Sequence, residues 1–100
     1  MITISSTVNG DVNEVKIAGR LDVKAAKEAE EAFVEAANAA PNVALDLGEL
    51  DYIASAGLRT LKRLRGDVKA NGGTLVVRNV QEDVMEIFEM TGFAAMLTFE

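Results

Sequence analysis

Ser55 is the residue of this sequence that is best placed to take part in chemistry. It lies where residues 45–54 give way to a stretch with helical spacing, a position that favours serine as the N-cap of a helix. The free backbone N–H groups and the dipole of a helix N-terminus stabilise a negative charge placed there. The position therefore predicts either a hydroxyl that can carry an added phosphate or a serine that only caps the helix, and both interpretations stay open.

A basic surface is predicted directly after Ser55. Residues 56–71 contain five basic side chains and one acidic side chain, in a chain whose net charge is −6. At about 100° per residue, four of the basic side chains share the side of a helix opposite Leu61 and Leu64. These four are Arg59, Lys62, Arg63 and Lys69. Ser55 projects toward the same side, so Arg59 could pair with a phosphate; the alternative is a solvated face that only keeps the protein soluble.

Two apolar neighbours precede Ser55. Tyr52, the single tyrosine, and Ile53 could form a rim around it, since a helix N-terminus and its loop lie at the surface. Alternatively, the two side chains plug the edge of the sheet, and the core is then the expected place for Ile53. The sequence does not decide between these two arrangements.

The composition argues against most enzymes, metal sites and nucleic-acid-binding proteins. The chain has neither His nor Cys, so zinc sites lose both main ligand types and the common catalytic triads lose their base. The acidic net charge opposes binding to nucleic acid or to an anionic membrane surface. We therefore expect a protein that is not an enzyme, with no catalytic residues, no metal and no cofactor.

The sequence also carries predictions about location and assembly. No apolar run approaches the roughly 18 residues of a membrane span, and the N-terminus lacks the basic and apolar regions of a signal peptide. We expect a cytoplasmic protein without membrane insertion. The sequence leaves the oligomeric state open, and a monomer is the expectation.

Hydrophobic spacing predicts the elements that must position Ser55. The predicted strands are 2–8, 12–18, 43–47, 74–78 and 96–99, and the predicted helices are 23–39, 56–70 and 81–90. Asn9 and Gly10 are expected to form a two-residue hairpin turn, Asp22 to cap the first helix, and residues 48–53 to form a loop.

These elements predict a single-domain α/β fold. Strand–helix–strand units imply parallel pairing, while the opening hairpin adds an antiparallel edge. We expect a mixed β-sheet of four to five strands packed against about three to four α-helices. Residues 43–47 are short and mostly apolar, a pattern typical of a central strand covered on both faces.

Three segments of the sequence resemble the STAS domain family, typified by bacterial anti-sigma factor antagonists. They are residues 15–22, residues 43–47 and residues 52–58, whose Ser-x-Gly-Leu block is the most specific part. Residues 73–77 and 90–93 are similar to the C-terminal half of the family, so the resemblance covers nearly the whole chain.

The resemblance implies a phosphorylation switch at Ser55. In the antagonists, a serine at this position is phosphorylated by a partner that is both a serine kinase and an anti-sigma factor, and a separate phosphatase reverses the modification. The unphosphorylated form binds the kinase and frees the sigma factor. The partner-binding residues expected on this basis are Asp22, Tyr52, Ile53, Ala54, Ala56, Gly57, Arg59 and Lys62.

The sequence departs from the family pattern at two positions beside Ser55. The usual Asp before the serine is Ala54, which removes a charge that a kinase could recognise, and a common second Ser is Ala56, which leaves one acceptor. The alternative function is that of a STAS subunit that binds without phosphorylation, as in complexes with a transporter ATPase. An enzyme or small-ligand carrier is the third class.

Overall fold

Residues 2–100, which the computed structural model describes, form five β-strands and three α-helices, with a short 3₁₀ helix before the last strand. In chain order these are β1 (Ile2–Asn9), β2 (Val12–Leu21), α1 (Val23–Ala39), β3 (Asn42–Ile53), α2 (Ser55–Ala70), β4 (Leu75–Arg78), α3 (Glu82–Met90), the 3₁₀ helix (Phe93–Met96) and β5 (Thr98–Phe99). The predicted bounds of α1 are confirmed, and α2 and α3 begin within one residue of their predicted starts.

The strands form one sheet in the order β1-β2-β3-β4-β5. β1 is antiparallel to β2, and every other neighbouring pair is parallel. Each helix connects two neighbouring parallel strands, and each connection moves one strand further across the sheet in the same direction. Because such crossovers are right-handed, the three helices lie on one face of the sheet. The predicted mixed sheet is confirmed. Val43, Ala44 and Leu45 are buried in succession, so both faces of β3 are buried over residues 43–45, as the apolar run predicts; Asp46 is half-buried.

The core lies between the sheet and the helices. Val15, Leu45 and Val77 lie side by side on β2, β3 and β4 and point toward the helices, each at most 1% exposed. The buried face of α1 is mostly alanine, and such small side chains let a helix lie close to a sheet. Its buried residues are Ala25, Ala26, Ala29, Phe33, Ala36 and Ala37.

The strands that lead to Ser55 are longer than their hydrophobic runs predict. β3 continues through residues 48–53, so the predicted loop there is wrong, and β2 continues past Ala18 to Leu21. The register between them shifts at two places, and each shift adds one residue to β3, as in a β-bulge. These shifts keep Leu50 and Ile53 turned toward the core, at 0% and 2% exposure.

The hairpin turn lies one residue later than predicted. Asn9 pairs with Val12, so the two loop residues are Gly10 and Asp11. Gly10 has φ 64°, while Asp11 is not among the residues with positive φ. A positive φ at the first loop position alone is the type II′ arrangement, which favours glycine there.

The C-terminal segment closes the core around Phe88. This side chain of α3 is fully buried, and its ring centroid lies 6.1 Å from that of Phe93 and 6.3 Å from that of Phe99. The predicted last strand is shorter than expected, because Met96 belongs to the 3₁₀ helix and only Thr98 and Phe99 pair with β4.

The open face of the sheet is polar and carries ion pairs. Arg78 lies 3.2 Å from Glu14 and also contacts Glu100, while Lys16 pairs with Glu49. The hydrogen bond to Glu49 raises the pKa of Lys16 above its usual value. The side chains of these pairs are 35–58% exposed, so solvent screens the pairs and they contribute little to stability. No helix within residues 2–100 is long and apolar enough to cross a membrane.

Candidate functional site

Ser55 is the first residue of α2 and is exposed, at the end of the sheet where the parallel strands finish. The N-cap is Ala54, with extended backbone angles of φ −94° and ψ 171°, and no side chain caps the helix. The prediction that Ser55 is the N-cap is therefore wrong. The Ala54 N–H donates to the Leu21 carbonyl over 3.0 Å, and its own carbonyl accepts from the Leu58 N–H, which fixes the cap one residue earlier.

This placement leaves the Ser55 hydroxyl free of a capping role. A serine at the N-cap accepts a hydrogen bond from a backbone N–H two or three residues later, whereas a serine at the first helical position does not need to. The first turn of α2 also contains no acidic residue, so no side chain there offsets the positive end of the helix dipole. The site therefore offers an exposed hydroxyl beside free backbone donors.

Gly57 sets how closely α2 approaches the sheet. A Cβ atom at this position would lie 2.8 Å from the Leu21 carbonyl oxygen, 2.8 Å from Cγ1 of Ile53 and 2.9 Å from Cγ of Leu21. Only glycine fits this spacing without a shift of the helix. Gly57 and Ile53 are both buried, so they support the site from the core and present no side chain at its surface.

Four predicted partner-binding side chains lie at or near the surface around Ser55. Tyr52, Arg59 and Lys62 are exposed, and Asp22 is half-buried. Arg59 and Lys62 follow Ser55 by four and seven residues, so all three share one side of α2. Tyr52 lies beneath Arg20, whose guanidinium carbon is 4.4 Å from the ring centroid. This cation–π pair connects the paired residues Arg20 and Tyr52 at the ends of β2 and β3.

Asp22 is the N-cap of α1, as the sequence predicts. Its side chain accepts a hydrogen bond from the Ala25 N–H over 2.9 Å. The next residue, Val23, is 71% exposed although it is apolar. Sequence reasoning missed Val23, and the signal available was a large apolar residue directly after a cap, outside the buried face of α1.

The charge and the capping role of Asp22 can be separated. Asp22→Ala should lower the free energy of unfolding by about 0.5–2 kcal/mol, because the cap is lost. Asp22→Asn should leave stability nearly unchanged, since Asn caps as well as Asp does. Urea denaturation followed by circular dichroism measures both variants. Equal losses in the two would show that the carboxylate charge, rather than the cap, stabilises this end of α1.

A groove of about 370 Å³ separates α1 from α2 beside Ser55. The groove is lined by apolar and charged side chains from the first three turns of both helices. The lining residues are Val23, Ala26, Lys27, Glu30, Ala56, Arg59, Thr60 and Arg63. The Thr60 hydroxyl donates to the Ala56 carbonyl over 2.7 Å and is buried, which leaves Ser55 as the accessible hydroxyl at this end of α2.

The side chains around Ser55 are mainly basic and apolar. Within residues 2–100, no three His, Cys, Asp or Glu side chains are grouped as metal ligands. Arg20, Arg59 and Lys62 supply positive charge, while Val23 and Tyr52 supply exposed apolar surface. An arrangement of this kind suits a docking face that a change of charge at Ser55 can alter.

Comparison with known proteins identifies the family. The chain is 43% identical over 54 residues to the Bordetella bronchiseptica protein BtrV, a match that covers 54% of this chain and 47% of that protein. It is 30% identical over 91 residues to the anti-sigma-B factor antagonist of Bacillus subtilis, covering 91% of this chain and 84% of that protein.

Solved structures share the fold. The structure of the Bacillus cell fate determinant SpoIIAA in its phosphorylated form superposes with a TM-score of 0.73 over 100% of this chain and 91% of that one, at 15% identity. At this level of identity the likeness concerns the fold alone. Residues 3–100 match the STAS domain. The chain therefore belongs to the STAS domain family.

Proposed function

We propose that this protein is an anti-sigma factor antagonist whose binding to a kinase that is also an anti-sigma factor is switched by phosphorylation of Ser55. The observation that carries the proposal is the exposed Ser55 hydroxyl in the first turn of α2, in a helix that no side chain caps. The name of the Bacillus subtilis relative supports the function, and the phosphorylated form of SpoIIAA supports modification on this fold.

The local charges suit a reversible phosphate. Transfer of the γ-phosphoryl group of ATP to Ser55 Oγ releases ADP and a proton, and hydrolysis by a phosphatase restores the hydroxyl and releases inorganic phosphate. The phosphate adds about −1.5 to −2 charge at neutral pH. The dipole of α2 and the guanidinium of Arg59, one turn further on, favour that charge. The modified helix is therefore expected to stay folded.

The docking face is proposed to surround Ser55. Asp22, Tyr52, Ala56, Arg59 and Lys62 form its predicted part, with Ala54 at the cap and with Ile53 and Gly57 supporting it from below. Val23 adds exposed apolar surface, since it lies on the groove between α1 and α2 together with Ala56 and Arg59. An unphosphorylated face of this composition can bury apolar area while its rim forms ion pairs.

The test is mass spectrometry of the protein isolated from its native cells, before and after phosphatase treatment. The expected result is one phosphate that maps to Ser55 and disappears in Ser55→Ala. Thr60→Val is the matched control, because the buried Thr60 hydroxyl should not be an acceptor, and this variant should still be phosphorylated. A phosphate on another residue would contradict the assignment of Ser55.

The second candidate is a STAS subunit that binds its partner without phosphorylation. The observation that favours it is Ala54, which places no charge beside the serine where the family usually has an Asp. Absence of phosphate under every growth condition would select this candidate. Neither candidate gives the chain an enzymatic activity of its own.

A further inference from the structure

β1 is a long and uncovered edge of the sheet. It spans eight residues, whereas β5 at the opposite edge spans two. An edge strand presents a row of backbone N–H and C=O groups that have no partner within the sheet, and such a row can pair with another strand. The outer edge of β1 is therefore a candidate interaction surface, away from the groove beside Ser55.

β1 has none of the features that usually prevent pairing between edges. Lys, Pro, a bulge or inward-pointing charges commonly protect such strands. The register with β2 runs unbroken from Ile2 opposite Gly19 to Asn9 opposite Val12. The sequence ITISSTVN contains no charged residue, although charged residues make up 26% of the chain. A second copy of β1 could therefore approach without direct repulsion between the two strands.

The hairpin geometry determines which backbone groups point outward. In a two-residue hairpin the closing pair, here Asn9 and Val12, exchanges both of its hydrogen bonds, and such pairs alternate along an antiparallel ladder. The backbone groups of Thr3, Ser5 and Thr7 therefore point toward β2. Those that point outward belong to Ile2, Ile4, Ser6 and Val8.

We propose that the protein forms a two-fold symmetric dimer in which β1 pairs antiparallel with β1 of a second copy. In the proposed register, Ile2 of one copy lies opposite Val8 of the other, and Ile4 lies opposite Ser6. It is the single antiparallel register that uses all four outward-pointing residues of both strands. Ser5 then lies on the two-fold axis opposite its own copy. The result is one continuous ten-stranded sheet, made from two copies of the five-stranded one.

The side chains of β1 fit this register. Every second side chain of β1 lies on the helix side of the sheet, namely those of Ile2, Ile4, Ser6 and Val8. Two of them, Ile2 and Ile4, already pack against the core. Val8 is 49% exposed in the isolated chain. Pairing with Ile2 of the second copy would cover it with apolar surface, and cross-strand pairs of this type stabilise sheets.

A groove between the sheet and α1 lies next to the edge at which the second copy would add its strand. It measures about 290 Å³ and runs between β1 and α1, lined in part by Ile4, Ser6, Asn13 and Glu35. Asn13 is fully buried, and its Oδ1 atom has no hydrogen-bond partner among residues 2–100. The side chains of the added strand project on this side of the sheet and would cover the groove.

The charges outside β1 predict how salt affects the dimer. Each copy carries a net charge of −6, and Glu35 lines the groove on both copies. Salt screens repulsion between like charges, so dimerisation should strengthen as ionic strength rises. An interface built on ion pairs would show the opposite dependence.

Sedimentation equilibrium of the full chain tests the proposal. The wild-type protein should show a concentration-dependent dimer, which Ser6→Pro should abolish because it removes an outward N–H that β2 does not use. Val8→Lys should also abolish the dimer. Met90→Lys is the matched control, since it adds the same charge at an apolar residue that is 79% exposed on α3, which connects β4 and β5 at the opposite edge of the sheet. Far-UV circular dichroism should show that all three variants stay folded.

Single cysteines test the register, because the chain has none of its own. Residues opposite each other in a non-hydrogen-bonded pair have Cα atoms about 4.5 Å apart, a separation that a disulfide can span. Ser5→Cys should therefore form a disulfide-linked dimer in a glutathione redox buffer, and Thr7→Cys should not. A monomer at every concentration, or equal cross-linking of the two variants, would overturn the proposal.

Discussion

Gly57→Ala should lower the free energy of unfolding by about 1–3 kcal/mol, because its methyl group cannot be accommodated where α2 meets the sheet. The new Cβ atom would lie 2.8 Å from the Leu21 carbonyl oxygen and 2.9 Å from Cγ of Leu21. The backbone oxygen cannot rotate away, so the first turn of α2 must move. That movement also displaces Ser55, two residues earlier.

Gly66→Ala is the matched control within the same helix. A Cβ atom at Gly66 would meet nothing within 4 Å, so this change should raise stability by up to about 1 kcal/mol through helix propensity alone. Urea denaturation of both variants measures the difference. Amide chemical shifts of Ala54 and Ser55 should change in Gly57→Ala and stay constant in Gly66→Ala. Equal stability of the two variants would show that α2 does not depend on the close approach at Gly57.

Phosphorylation of Ser55 should raise the Kd for the kinase and anti-sigma factor by about 100-fold, while the fold stays intact. The added charge and bulk enter the centre of the proposed docking face, where misplaced charge costs several kcal/mol, and each 1.4 kcal/mol changes Kd tenfold. The same phosphate at the N-terminus of α2 should stabilise the helix by about 0.3–1 kcal/mol. Binding and stability are therefore expected to change in opposite directions.

Isothermal titration calorimetry with the cognate anti-sigma factor measures the first effect, and thermal unfolding measures the second. Ser55→Ala is the control, since it removes the acceptor without adding charge and should bind as the unmodified protein does. Backbone chemical shifts far from Ser55 should match in the two forms. Global shift changes would show that the switch works by remodelling the fold, and unchanged affinity would show that Ser55 lies outside the interface.

The structure changes the significance of the two alanines beside Ser55. Ala54 holds the N-cap through backbone bonds to Leu21 and Leu58, so the helix start does not depend on a capping side chain. Ala56 lines the groove between α1 and α2 rather than offering a second hydroxyl. Ser55 is thereby separated from the capping role that the sequence suggests, which strengthens its candidacy as a modification site.

Local sequence signals predict the helices and the fold class. Spacing of apolar residues and an Asp cap place α1 at residues 23–39, and the structure shows these bounds. The alternation of strands and helices predicts the mixed sheet, because parallel neighbouring strands need a crossover connection, which is usually a helix. These features depend on residues a few positions apart, whose interactions do not need the rest of the chain.

The lengths of the strands that end near Ser55 depend on tertiary pairing. Residues 48–53 contain a glycine and charged residues that favour a loop, yet they form a strand because β2 lies alongside with two register shifts. The start of α2 was set by the Leu21 carbonyl, which is more than 30 positions from Ala54. The groove joins Val23 to Ala56, and the exposed edge of β1 appears only once the strand order is known. The sequence by itself determined the helices and the fold class, since local periodicity and the Asp22 cap encode them, and it singled out Ser55 by its position just before a helical stretch. The cap, the strand ends and the docking surfaces depended on contacts between distant segments, which form only when the sheet assembles.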